Sequence, residues 1–192
     1  IKKNKKIKIG YFSADFRNHP VSFQLINLLD LHDRSKFEIY GFSFGLEKDD
    51  KMKKRISKVF DKFYDVKFKT DFDIAKLSRD LNIDIAVDLT GFTTNSRFGI
   101  FVERCAPIQV NFLGYPGTLG SNHHDYIIAD KILIPKENQK DYSEKIVYLP
   151  NSFLVNDSTK KISKKKFSRE EFGLPKNGFV FCCFNQSYKI TP

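Results

Sequence analysis

The stretch Arg104-Cys-Ala-Pro-Ile-Gln-Val-Asn-Phe-Leu-Gly-Tyr-Pro-Gly-Thr-Leu-Gly120 decides the fold class. Its apolar run from Ile108 to Leu113 reads as a buried strand, and it drops abruptly into Gly114-Tyr115-Pro116-Gly117-Thr118-Leu119-Gly120. Three glycines and a proline within seven residues predict a tight loop. Glycine reaches positive φ and allows close backbone approach, while Pro116 stiffens the path. Such a loop presents amide N–H groups at the carboxyl end of a strand, where open α/β sheets bind their ligands. Composition alone leaves two readings open, a ligand loop or a plain turn.

Outward from this stretch, strand and helix patterns alternate. Ile7 to Phe12 is a run of strand-formers, Ser13 to His19 is polar, and Pro20 opens a helix with Val21, Leu25, Leu28 and Leu29 on one face. Phe37 to Phe44 reads as a strand, Lys48 to Val59 as a charged helix with Met52, Ile56 and Val59 inward, and Phe60 to Val66 as a further strand. Thr70-Asp71-Phe72-Asp73 opens a helix carrying Ile74, Leu77 and Leu81, and Ile83 to Leu89 is a strand with β-branched residues. A helix is expected near Asn95 to Arg104, then the Ile108 strand and its loop, then strands at Tyr126-Ile127-Ile128 and Ile146 to Leu149. This spacing implies an α/β fold, a doubly wound and mostly parallel sheet with helices on both faces. The Rossmann-like domain is expected over residues 1–150. Residues 151–177 are polar and lysine-rich, a linker or insertion. Gly178 to Phe184 reads as a new strand, so 178–192 is expected to begin a second domain that is cut short.

At 192 residues the chain can bury a full core, and 41% hydrophobic content with 15% aromatics excludes a disordered chain. A net charge of +10 invites an anionic partner, yet the basic residues are scattered among 23 acidic ones. The densest run, Lys160 to Lys166, reads as a solvated connection, and no nucleic-acid partner is expected. A non-catalytic basic module that engages an anionic partner stands as the alternative function. Cys105, Cys182 and Cys183 lack CxxC spacing and support neither a disulfide framework nor a zinc site. They read as buried reduced thiols of a cytoplasmic protein. No apolar run reaches membrane-spanning length, and the lysine-rich start lacks the apolar core of a signal peptide. The limits at Ile1 and Pro192 suggest a fragment, and the abundance of Lys, Ile, Asn and Phe suggests an AT-rich bacterial genome.

Three motifs in order carry a family resemblance. They are Asp15-Phe16-(x)2-His19-Pro20-Val21, then Ala106-Pro107-Ile108-Gln109-Val110-(x)3-Gly114-Tyr115-Pro116-Gly117-Thr118, then Phe184-Asn185-Gln186-(x)-Tyr188-Lys189-Ile190. Together they resemble the catalytic region of protein O-linked N-acetylglucosamine transferases and their SPINDLY-like plant relatives, over essentially the whole chain. The resemblance implies the amino-terminal lobe of a two-domain GT-B glycosyltransferase, followed by the start of the nucleotide-sugar-binding lobe. It implies a nucleotide-sugar co-substrate, UDP-GlcNAc, a Ser or Thr hydroxyl of a protein or peptide as acceptor, inversion at the anomeric carbon, and no metal or cofactor. The remaining carboxyl-terminal lobe would complete the site.

By the same resemblance His19 lies at the sugar-acceptor centre, where a histidine can donate a hydrogen bond or exchange a proton. Lys189 matches the lysine that binds the departing diphosphate, and Tyr188 and Gln186 match positions beside the sugar donor. Leu113, Gly114, Pro116 and Thr118 would line the sugar and acceptor pocket. Asp88-Leu-Thr-Gly-Phe-Thr93 ends the fourth expected strand, so Asp88 and Thr93 fall at the same carboxyl edge and are candidate substrate-binding residues. The chain departs from its relatives at Phe92, where they carry His or Tyr, and at Phe23, where a second histidine often follows the His-Pro pair.

Each candidate also has a plainer reading. His19 could serve only to cap its helix. Asp71-(x)-Asp73 imitates a metal-holding pair, but Thr70 and Asp73 have the spacing of a capping box. His123-His124 has only Asp125 near it and reads as a loop pair rather than a metal site.

Overall fold

Strands covered by helices on both faces read as near-continuous apolar runs, and the inner strands of this chain come near that pattern while the two edge strands, Lys62-Phe-Tyr-Asp65 and Lys145-Ile-Val-Tyr148, do not. In the computed structural model the structure describes residues 6–46 and 50–184. Its strands are β1 (Ile7–Ser13), β2 (Phe37–Ser43), β3 (Lys62–Asp65), β4 (Ile85–Asp88), β5 (Ile108–Asn111), β6 (Tyr126–Ala129) and β7 (Lys145–Tyr148). They form one sheet in the order β3-β2-β1-β4-β5-β6-β7, with every pairing parallel. This is the doubly wound Rossmann-like arrangement, and the strand order reverses between β1 and β4. In register Phe12 faces Asp88 and Asp88 faces Asn111, so β1, β4 and β5 end nearly level.

Alternation along β1 divides the core between the two faces. Ile9 and Tyr11 pack with Val21, Leu25 and Leu29 of helix α1 (Pro20–Asp30) and with Met52 and Ile56 of α2 (Lys51–Ser57). Phe12 packs on the other face with Tyr40, Phe42, Ile74 and Ala75 of α3 (Asp71–Asp80), and Ile100 and Phe101 of α4 (Gly99–Val102). There the Phe12 and Phe42 rings stack at 4.4 Å.

The helix starts follow local chemistry. His19 caps α1 ahead of Pro20, and Thr70 caps α3 by accepting from the amide of Asp73; of the expected capping box this half is present, while the Asp73 carboxylate accepts from the Thr70 hydroxyl at 2.7 Å. Two helices are shorter than their apolar patterns suggest. The side chain of Asp50 accepts from Lys53 N at 2.7 Å and starts α2 there. Asn95 and Arg104 adopt left-handed backbone, with φ of 65° and 51°, and confine α4 to the residues between them.

The chain divides into two units, Ile1–Thr159 and Lys160–Pro192. Residues 151–159 stay with the sheet through Phe153 N to Asp130 Oδ2 at 2.8 Å and Ser158 Oγ to Asn27 Oδ1 at 2.6 Å. The second unit holds a 3-10 turn, Glu170–Phe172. Gly178 to Phe184, expected as a strand, forms none, and Phe179, Phe181 and Phe184 are exposed. A strand needs a neighbouring ladder, and the described residues of this unit provide none.

The cysteine expectation divides in the same way. Cys105 is buried, and burial pushes its thiol up to about 12, whereas Cys182 and Cys183 are exposed. Among the described residues no helix is long and apolar enough to cross a membrane.

Candidate functional site

The strand order reverses between β1 and β4, and doubly wound sheets bind ligands outside the carboxyl ends of their strands at such a point. Three loops meet this edge. The first follows β1 and is tied down along its length. Asp15 N donates to Ser13 Oγ at 2.9 Å, Ser22 Oγ donates to Asp15 O at 2.6 Å, and Asn18 N donates to Asp50 Oδ2 at 2.8 Å. Arg17 pairs with Asp15 Oδ1 at 2.8 Å.

His19 ends this loop with about a third of its side chain exposed, the ring Nδ1 being 3.6 Å from Asp15 Oδ2. Burial, reinforced by the Arg17 guanidinium and opposed by Asp15, holds its pKa below the ordinary histidine value. The ring is therefore neutral at pH 7. Its Nδ1 accepts from Val21 N at 3.4 Å, so the single proton of the neutral ring sits on Nε2. That group has no partner among the described residues and is a hydrogen-bond donor available to a ligand.

The second loop follows β4. Asp88 is 2% exposed and its carboxylate is already occupied. Oδ1 accepts from Thr90 N at 2.9 Å and Gly91 N at 3.0 Å, and Oδ2 faces His124 Nε2 at 3.2 Å. The His124 ring lies 4.6 Å from Phe101 and is stacked on Phe98 at 5.6 Å. Thr90 Oγ1 accepts from Ala14 N at 3.3 Å and joins this loop to the first. Thr93 is exposed, and its hydroxyl donates to Thr90 O at 2.8 Å. Phe92 is half exposed and leans on Phe98 and Tyr115, at 5.2 and 5.9 Å. An aromatic ring thus stands partly on the surface at this position.

The third is the glycine loop after β5. Asn111 Nδ2 donates to Tyr115 O at 3.0 Å and to Gly117 O at 3.1 Å. The left-handed residue at the start of the loop is Leu113, with φ of 69°, and of the three glycines Gly120 alone has positive φ. Gly114 serves close approach instead, because a Cβ there would lie 1.9 Å from Leu89 O. Leu113 is buried, Gly114 and Thr118 are partly buried, and Pro116 is exposed.

His19, Asp88, Leu113 and Gly114 are therefore gathered at the ends of adjacent strands, with Thr93, Pro116 and Thr118 following in the same loops. Gln186, Tyr188 and Lys189 lie outside the described residues. Sequence reasoning missed Asn111 and Glu144, and it read His124 only as half of a loop pair. Asn111 could have been noticed as a polar residue ending an apolar strand. His124 and Glu144 carry no such local signal, because their partners are distant along the chain. Among the described residues no group of three or more His, Cys, Asp or Glu could hold a metal ion, and Asp71 is engaged by Arg97.

Comparison with known proteins agrees with this architecture. The sequence model of glycosyl transferase family 41 matches residues 1–167. A probable UDP-N-acetylglucosamine–peptide N-acetylglucosaminyltransferase of Arabidopsis thaliana, SEC, is 36% identical over 98% of this chain and 20% of its own length. The UDP-N-acetylglucosamine–peptide N-acetylglucosaminyltransferase of Caenorhabditis elegans is 31% identical over 82% of this chain and 14% of its own length. The chain thus spans about a fifth or less of the curated relatives it matches. A mutant O-GlcNAc transferase from Thermobaculum terrenum superposes with a TM-score of 0.75 at 33% identity, covering 78% of this chain and 29% of that one. With the sequence match covering most of its length and the sheet matching a solved relative, the chain belongs to glycosyl transferase family 41.

Proposed function

We propose that this protein transfers N-acetylglucosamine from UDP-GlcNAc to Ser or Thr hydroxyls of proteins. The observation that carries the reading is the family 41 match together with a neutral His19, its Nε2–H unpartnered among the described residues, at the sheet's switch point. In the reaction the acceptor oxygen bonds to the anomeric carbon from the face opposite the diphosphate. The bond from that carbon to the phosphate oxygen breaks, its electron pair leaves with UDP, and the acceptor proton passes to solvent or a base. His19 Nε2–H would donate to a sugar or acceptor oxygen. Lys189 would meet the charge growing on the diphosphate, a role in which charge-assisted hydrogen bonds are worth about 1.5–3 kcal/mol, with no metal ion required.

The test is calorimetric titration of UDP and of GDP into the complete reading frame that contains this chain, with and without Lys189→Ala, alongside transfer of labelled sugar to peptides. Binding of UDP that weakens in the variant, with transfer lost, is expected. Normal turnover by Lys189→Ala would remove that residue from the mechanism.

A second reading draws on the exposed basic run of residues 160–166. A non-catalytic module of that kind would bind polyanions with a steep salt dependence and leave both nucleotides unbound.

A further inference from the structure

We propose that Glu144 is the latch of the glycine loop, a positioning residue for the acceptor side of the site. The proposal rests on the transferase reading for its catalytic consequence and on geometry for the latch itself.

Glu144 directly precedes β7 and is 4% exposed. A buried carboxylate is costly unless its oxygens are met by donors. Among the described residues no cation pairs with it, and its hydrogen-bond partners, apart from its neighbour Ser143, belong to the loop after β5. Leu119 N donates to Oε1 at 2.7 Å, Thr118 Oγ1 donates to Oε2 at 2.7 Å, and Ser143 Oγ donates to Oε2 at 3.1 Å.

Counting valences shows what Thr118 does. A hydroxyl has one proton and two lone pairs. The proton of Thr118 goes to Glu144, and the lone pairs receive Gly120 N at 3.1 Å and Ser143 N at 3.3 Å. Ser143 Oγ in turn accepts from Ser121 N at 3.0 Å. Thr118 is therefore saturated within the protein, and its hydroxyl shapes the loop rather than reaching for a ligand.

The loop is clamped at two points. Asn111 holds the carbonyls of Tyr115 and Gly117, and Glu144 holds Thr118 and Leu119. Between them the chain has little freedom, and at its start Gly114 presses against the carbonyl of Leu89 at the end of β4. Release of the Glu144 end would let the segment that follows Gly114 drift relative to His19. A misplacement of about 1 Å at a reacting centre can lower turnover by about two orders of magnitude.

The test compares Glu144→Gln and Glu144→Ala in the complete reading frame. Glutamine can still accept from Leu119 N, but its amide would point a donor at a Thr118 oxygen whose lone pairs are filled. Expected are a roughly tenfold fall in kcat/KM for an acceptor peptide in Glu144→Gln and a roughly hundredfold fall in Glu144→Ala. The KM for UDP-GlcNAc should be unchanged. Amide hydrogen exchange should quicken at Leu119, Gly120 and Ser121 and stay as it was in β1 and β4. Wild-type turnover by Glu144→Gln would overturn the proposal, as would exchange that quickens throughout the sheet, the mark of a residue that only supports stability. Should the unaltered protein fail to transfer sugar, the transferase reading falls, and the latch stands or falls on the exchange pattern alone.

Discussion

His19 and Asp88 end neighbouring loops on the same edge of the sheet, and they are in opposite states. Asp88 is buried with both oxygens engaged by Thr90 N, Gly91 N and His124. His19 is partly exposed, neutral at pH 7, and its Nε2 is unengaged among the described residues. The difference separates groups that build the edge from groups able to act there. A charged group at a switch point is not a site residue by location alone; what decides is whether its hydrogen-bonding capacity is already used.

The sharpest way to break the comparison is Asp88→Ala. It leaves His124 and two loop amides without their carboxylate partner, and each buried polar group left unsatisfied costs about 1–3 kcal/mol. A denaturant midpoint within error of the wild type would show that Asp88 does not build the edge. Asp88→Asn should be far milder, about 1 kcal/mol. Its oxygen can keep the two amides, and its NH2 stands in place of the carboxylate oxygen that faces the His124 ring.

Next in size is Gly114→Ala, whose Cβ would lie 1.9 Å from a backbone oxygen that cannot swing aside. A loss of about 2–3 kcal/mol is expected from equilibrium unfolding. Smaller still is the capping part of His19. His19→Ala should cost about 1 kcal/mol, and His19→Asn, a good helix cap, a few tenths. Both should lose sugar transfer, since neither restores the Nε2–H. Full turnover by His19→Asn would reduce His19 to a cap and erase its contrast with Asp88.

The smallest effect is in pH. Because the folded protein holds the His19 pKa below its ordinary value, near 6.5 in an unfolded chain, the unfolded chain takes up a proton that the folded one resists. The contribution is absent above pH 7 and destabilises as pH falls through about 6.5 toward the lowered folded value. Subtracting the pH profile of His19→Asn from that of the wild type isolates it, and a difference that rises in the other direction would contradict the neutral ring.

Much of the fold was legible because its determinants are local. β-Branched and aromatic runs alternate with amphipathic segments, Thr70 and Asp73 cap α3, and His19-Pro20 opens α1. The failures have local causes as well. α4 shrank because two residues took left-handed backbone that apolar periodicity does not reveal, and residues 178–184 have strand composition without a ladder. In the candidate site, the loops and their place at the sheet edge could be read ahead of the structure, but the occupancy of their polar groups could not.

That division has a physical origin. Sequence alone determined the strand–helix alternation, hence a parallel doubly wound sheet, and three motifs that mark the family, because propensity, capping and turn chemistry act over a few residues. Tertiary structure decided that Asp88 meets His124, 36 residues away, and that Thr118 meets Glu144, 26 residues away. Hydrogen bonds over such separations exist only once the sheet has set the register of β4 through β7. Whether a polar side chain is left free for a substrate is therefore settled by the folded edge and not by the motif that contains it.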